Sequence, residues 1–328
     1  MAIREILRKP FISTHVAERV DLSGRQIIVT GCSPGSLGYA TARQLTSWGA
    51  TVIITTRRGT GNVVAALNAE IAQGDKPGKM DGHPLDLSRA PSVNQFTRWY
   101  DRFYGGRLDA LVNNAGIHLD LMSDWKEPRL SRDGIEIQWR TNYLGTVHLT
   151  HNLLPLLKNT GRAVGEARVV NVVSQLHSRG SNELLFNADR TYESWQAYGL
   201  SKLGLIHFTN ELHRRYYQAD NLNSYSLHPG GRSGTYTNVA GKGLEGHAVI
   251  ETVRRWAAPL ERLLMASAAE GAQTQIYCAT SAVAKSGHYY TNSQIANSSK
   301  DSVDEDAAGR LWEETKVWLR IAAQVSAE

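Results

Sequence analysis

The sequence predicts an α/β fold, a single domain built on a doubly wound parallel sheet. Three features predict it. Short β-branched apolar runs alternate with helix-length patterns along the chain. The strand runs are almost wholly apolar rather than alternating, as expected of strands covered on both faces. The first strand runs into a glycine-rich turn that opens a helix, an arrangement typical of doubly wound sheets.

Residues 27–29 form the first strand, and residues 39–48 the helix beyond the turn. Residues 51–55 are a second strand, followed by a helix over 62–72. Residues 108–112 and 168–173 are further strands, with a long helix over 133–157 between them. A second long helix spans 193–217, and residues 224–227 are the strand after it. Residues 1–23 form an N-terminal extension, so the domain proper is 24–328. Beyond the strand at 224–227, residues 230–248 are rich in Gly, Ser and Thr. Ligands bind at the carboxyl ends of strands in open α/β sheets. A substrate lid over residues 230–265 is therefore expected, since loops this long in compact domains usually serve function. Trp256, Leu260, Leu263 and Leu264 repeat there at helical spacing and read as packing residues.

Composition excludes several classes. Of 328 residues, 41% are hydrophobic and 20% charged, which is ordinary for a globular protein. The net charge of +5 is spread along the chain, so no nucleic-acid partner is indicated. No apolar run approaches the roughly eighteen residues a membrane span needs. The charged first ten residues do not resemble a signal peptide. Cys32 and Cys278 fall in segments that read as buried, so neither a disulfide nor a metal is expected, and the setting is expected to be reducing and cytoplasmic. The eleven histidines do not cluster at ligand spacing, so no metal is expected.

The turn reads Thr30-Gly31-Cys32-Ser33-Pro34-Gly35-Ser36-Leu37-Gly38. Its glycines let the backbone approach a pyrophosphate, and the helix N-terminus supplies N–H donors and a positive dipole. Gly31, Ser33, Gly35, Ser36, Leu37 and Gly38 are the candidate contacts. After the second strand come Arg57 and Arg58, where an NAD-binding site usually has a carboxylate for the ribose 2′-hydroxyl. A guanidinium there suits a 2′-phosphate, so NADP(H) is expected. Arg57 is nearer the strand end. Tyr198 and Lys202 lie four residues apart, on one face of the second long helix. A phenol titrates near 10, and a neighbouring ammonium would lower that value. Ser174, closing a strand, has a hydroxyl suited to a substrate carbonyl. His177 reads either as a pocket residue or as a hydrogen-bonded loop histidine, and Trp139 as packing.

In order, the motifs TGxxxGxxG, Leu85-Asp86-Leu87, Asn113-Asn114-Ala115-Gly116, Asn142-Tyr143-Leu144-Gly145, Ser174, YxxxK and His228-Pro229-Gly230 resemble the short-chain dehydrogenase/reductase superfamily, a Rossmann-fold family. The resemblance covers about residues 24–230. It implies Tyr198 as proton donor or acceptor and Lys202 as the group that lowers its pKa and binds ribose. It implies Ser174 as the carbonyl-orienting residue and Asn142 as support for a water relay to Lys202. By the same resemblance Asp86 contacts adenine, Leu87 is a further cofactor contact, and Asn114, Ala115 and Gly116 line the cofactor cleft. Pro229, Gly230 and Thr235 follow the last core strand, with Thr237 a rival to Thr235 for the nicotinamide amide. One departure is visible: the family turn is stretched by a residue, so either Ser36 replaces the middle glycine or the loop bulges at Pro34.

The segments 195–203, 270–274 and 287–290, with a C-terminal helix at 304–325, are similar to the retinol-dehydrogenase-like branch. That resemblance implies a bulky apolar alcohol, ketone or aldehyde substrate, such as a retinoid, steroid or polyketide. A cofactor-binding scaffold without turnover is the alternative. An extended-branch epimerase shares YxxxK, but the NNAG motif and Arg57 argue against it. The two long helices offer a homodimer interface.

Overall fold

A computed structural model describes residues 15–72, 78–118, 127–187, 191–229 and 266–325. Its strands are β1 (Gln26–Thr30), β2 (Thr51–Thr56), β3 (Lys79–Pro84), β4 (Ala110–Asn113), β5 (Ala167–Val172), β6 (Leu222–His228), β7 (His288–Thr291) and β8 (Gln294–Ile295). They form one sheet in the order β3-β2-β1-β4-β5-β6-β7-β8. Every neighbouring pair is parallel except the final hairpin, β7 with β8. β1 is flanked by β2 on one side and β4 on the other. The winding reverses there, which leaves a crevice at the carboxyl ends of these strands.

Strand residues alternate between two cores. Ile28, Ile53, Leu111 and Val169 face one; Ile27, Val29, Val52, Ile54, Val112 and Val170 face the other. The second face is covered by α1 (Leu37–Ser47), α2 (Thr60–Ile71) and, after the short α7 (Ala268–Gly271), by α8 (Gln273–Thr280). The first is covered by α3 (Ala90–Tyr104), α4 (Gly145–Val164), α6 (Ser194–Asp220) and α9 (Glu305–Val325), with the short α5 (Asn182–Phe186) before α6. Burial on both sides explains the unbroken apolar strand sequences.

The α/β expectation holds, with three differences. β3 and α3 do not show in the sequence pattern. β3 reads Lys-Met-Asp-Gly-His-Pro and pairs with β2 alone, so it needs little apolar surface. The helix expected over 133–157 starts later. Gly134 takes φ +75, Ser131 Oγ accepts from Ile135 N, and a bridge joins Leu130 to Glu136. A π-helical turn, Trp139–Leu144, then leads into α4. Third, α7, α8, β7 and β8 extend the sheet and its cover beyond the elements read from the sequence. Trp139 is a packing residue: its ring lies 4.3 Å from that of Tyr143, and a Cβ on Gly204 would press on both.

The C-terminal helix is α9, as expected. Leu311 and Leu319 enter the core and Trp312 stacks on Phe208 of α6 at 5.6 Å. From the N-terminal extension, Ala17 and Leu22 are buried, and Leu22 N donates to Trp48 O. Cys32 and Cys278 are free and buried. Among the described residues no helix is long and apolar enough to cross a membrane, and no cluster could hold a metal ion. Gly230, Thr235, Thr237, Trp256 and the rest of the expected lid lie outside the described residues.

Candidate active site

β1 delivers the chain into the glycine turn at the crevice. Gly31 and Gly35 take φ +73 and +79, which side chains other than glycine's rarely adopt. A Cβ on Gly31 would stand 2.8 Å from Ala115 Cα, and one on Gly38 2.6 Å from Asn114 Nδ2 and from Gly31 O. Turn, helix and the loop after β4 therefore close on one another only because these residues are glycine. Ser36 caps α1: its Oγ accepts from Tyr39 N and donates to Gly31 O, both at 3.1 Å. The extra residue is absorbed here, with Gly35 making the left-handed turn, Ser36 the cap and Gly38 the contact with Asn114. Ser33 accepts Ser36 N at its carbonyl. The first-turn amides of Leu37 and Gly38 have no carbonyl to reach within the helix.

The loop after β4 is tied to this turn. Thr30 Oγ1 accepts from Asn114 N and Ala115 N, at 3.0 and 2.9 Å. Asn114 Nδ2 donates to Thr30 O at 2.8 Å. Asn113 lies beneath, donating to Thr150 Oγ1 and Asn171 Oδ1 in a buried amide chain that locks β4 to β5 and α4.

Arg57 and Arg58 are exposed just past β2, and neither forms an ion pair with a described carboxylate. Asp86 is half-buried; its Oδ1 accepts from Ser88 N and Oγ, and its own N–H donates to Ser92 Oγ. Leu87 is buried. These residues line one end of the crevice. Glycine cradle, helix N-terminus and free guanidinium groups together fit a dinucleotide.

The other end gathers Asn142, Ser174, Tyr198 and Lys202. Asn142 is fully buried on the π-helical turn, a feature frequent at functional sites. Its Oδ1 accepts from Ile117 N at 2.7 Å, and its Nδ2 donates to Ile117 O and Ser201 Oγ at 2.9 and 3.1 Å. Lys202, 3% exposed, donates to Val172 O at 3.0 Å. An ammonium has three donors, so others remain for a ligand. A Cβ on Gly116 would stand 3.2 Å from Lys202 Nζ and 3.3 Å from Asn142 Oδ1, so glycine keeps this gap open. Ser174 lies two residues past the end of β5, and its Oγ accepts from Leu176 N, capping the short turn Gln175–Arg179. Pro229 follows β6, where His228 Nδ1 accepts from Gln175 N.

The electrostatics differ from the simplest expectation. Burial pushes the Tyr198 phenol up to about 12, while its hydrogen bond with Ser174 pulls the other way. Burial pushes Lys202 down to about 8. Lys202 Nζ lies 5.5 Å from the Tyr198 ring centre, and the phenol's shift is set by burial and by Ser174 instead.

Two histidines complete the picture. His177 is structural: Nδ1 bonds Ser174 O at 2.7 Å, and Nε2 accepts from Ser299 N at 2.9 Å. Burial lowers its pKa, in keeping with a neutral ring. His118 was not singled out by sequence. Its ring lies 4.2 Å from that of Tyr198 and 4.7 Å from that of Trp195. Its only sequence signal is its place two residues beyond the NNAG motif.

Residues 25–242 match the family model described as short chain dehydrogenase. The chain belongs to the short-chain dehydrogenase/reductase family of oxidoreductases. Within it the chain is retinol-dehydrogenase-like. Mouse (Mus musculus) retinol dehydrogenase 14 is 33% identical over 316 residues, covering 92% of this chain and 87% of that protein. A probable oxidoreductase of Streptomyces antibioticus is 32% identical, covering 92% of this chain and 100% of its own length. Among solved structures, a short chain dehydrogenase from Shigella flexneri complexed with NADP matches with TM-score 0.60 and 20% identity, covering 84% of this chain and 100% of that one.

Proposed function

We propose that this oxidoreductase moves a hydride between NADP(H) and a carbonyl or alcohol on a bulky apolar substrate. One observation carries the reading: Ser174, Tyr198, Lys202 and Asn142 meet at one end of a crevice whose other end holds the glycine cradle and two exposed arginines. The NADP named with the Shigella structure supports the cofactor. The bound cofactor supplies or accepts the hydride. Arg57, with Arg58 beside it, would pair with the 2′-phosphate, and the turn from Gly31 to Gly38 would hold the pyrophosphate. Asp86 and Leu87 would border adenine, and Asn114 to Gly116 the middle of the cleft. Lys202 would use its remaining N–H groups on ribose hydroxyls.

For reduction, Ser174 Oγ would donate to the substrate carbonyl while Tyr198 gives its proton to the forming alkoxide. Oxidation reverses both steps. The gap beside Gly116 between Lys202 Nζ and Asn142 suits a water that returns the proton. The names of the curated relatives, and the aromatic surface of His118 and Trp195 beside Tyr198, favour an apolar substrate. Both thiols being free and buried is consistent with a reducing, cytoplasmic setting. A homodimer through α4 and α6 would have to use the surface that α9 leaves open, which sedimentation would measure.

A panel of ketones, aldehydes and alcohols, followed by NADPH absorbance, tests the reading with wild type and Tyr198→Phe. Turnover of at least one apolar carbonyl, lost by about 10²–10⁴-fold in the variant, is expected. An active carbonyl reduced equally fast by both proteins would sink the mechanism. Tight NADPH binding with no turnover across the panel would favour a scaffold.

A further inference from the structure

Arg140 is fully buried, and an isolated buried guanidinium would be strongly unfavourable. Its contacts are specific. Nε donates to Asp133 Oδ2 at 2.7 Å, and Nη1 donates to Leu87 O at 2.7 Å. The Trp318 ring of α9 lies against the guanidinium, 4.9 Å from ring centre to Cζ. Burial resists ionisation of Asp133, but hydrogen bonds from Ser131 and Arg140 hold it below the usual carboxylate range. Asp133 is 41% exposed, so the ion pair is anchored at the surface and reaches inward.

Leu87 is gripped from a second side. A Cβ on Gly145 would stand 2.2 Å from Leu87 O, so α4 starts in direct contact with that carbonyl. Arg140 within the π-helical turn and Gly145 just after it flank Asn142. The adenine-end loop, the turn bearing Asn142 and the C-terminal helix thus share one buried cation.

We infer that Arg140 is a positioning residue that fixes Leu87, and that α9, through Trp318, is a working part of the cofactor site. The inference rests on the proposed reading of Asp86 and Leu87 as the adenine end. Arg140→Met removes one partner of this pair and leaves Leu87 O without its donor, which costs stability. Arg140→Met should therefore lower the thermal midpoint as the Leu87 loop loosens.

The test is calorimetric titration with adenosine 2′,5′-bisphosphate, which probes the adenine end alone, alongside thermal melting and steady-state kinetics. In Arg140→Met the Kd for this probe should rise about ten-fold, and KM for NADPH with it. The value of kcat at saturating NADPH should stay within two-fold, although the midpoint falls. Trp318→Leu, which keeps both hydrogen bonds, should raise the Kd about three-fold, and it serves as the test should Arg140→Met fail to fold. An unchanged Kd in a folded variant would overturn the inference. So would kcat and Kd worsened together, the mark of a purely structural role. If wild type bound neither the probe nor NADPH, the cofactor reading would fall and this inference with it; if wild type bound both and the variants matched it, only the inference would fall.

Discussion

The two ends of the crevice are built by opposite means. At the end holding Tyr198, the polar groups are buried and their hydrogen bonds run within the protein: Asn142 to Ile117 and Ser201, Lys202 to Val172. At the end holding Arg57 and Arg58, the charged groups are exposed and held by little but their backbone. Buried groups carry their pKa values with the fold, because desolvation, not ligand, shifts them. Exposed cations are screened by salt, so they adjust affinity without disturbing the fold. On the proposed reading, proton chemistry and cofactor choice are thereby separable.

Lys202→Met should break that contrast most sharply. Activity should fall by about 10²-fold or more. Stability at pH 7 should rise, because the folded-state value of about 8 lies below the usual 10.5. Below pH 8 the folded protein holds a buried ammonium at a penalty of up to about 3 kcal/mol. The penalty fades as pH rises from about 8 to 10.5, where the lysine is neutral in both states, and so should the variant's advantage. Thermal melting from pH 7 to 10 gives the answer; a destabilised variant at pH 7 would refute the sign.

Gly38→Ala tests the middle ground between the two ends. Its Cβ meets Asn114 Nδ2 and Gly31 O at 2.6 Å, so the turn must open. A loss of about 1–3 kcal/mol in denaturant unfolding is expected, together with weaker NADPH binding. Arg57→Ala should leave unfolding unchanged and raise the Kd for NADPH roughly ten-fold, with NADH unaffected. Equal weakening of both cofactors would place the 2′-phosphate elsewhere. The smallest effect belongs to Ser36→Ala, which removes the α1 cap; a loss of about 1 kcal/mol is expected.

Legibility in the sequence followed burial. β1, β2 and β5 are continuous apolar runs because both of their faces are covered, and they stand where expected. β3 escaped notice because an edge strand can be polar. The helix over 133–157 was extended too far upstream because Ile135 continues the apolar pattern, whereas Gly134 at φ +75 makes that segment a turn. Among the proposed site residues, Tyr198 and Lys202 are legible from spacing and Ser174 from its place after a strand. His118 and Arg140 were not, since their meaning lies in partners far along the chain: Tyr198 for one, Leu87 and Trp318 for the other.

The sequence by itself determined the layered α/β plan, the glycine turn and the order of the proposed catalytic groups, because these depend on local periodicity, turn chemistry and residue type. Only the tertiary structure decided which way the pKa values moved, how Ser36 and Gly38 accommodate the stretched turn, and that a buried arginine joins the C-terminal helix to the Leu87 loop. Those outcomes depend on desolvation and on contacts between distant segments, neither of which spacing along the chain encodes.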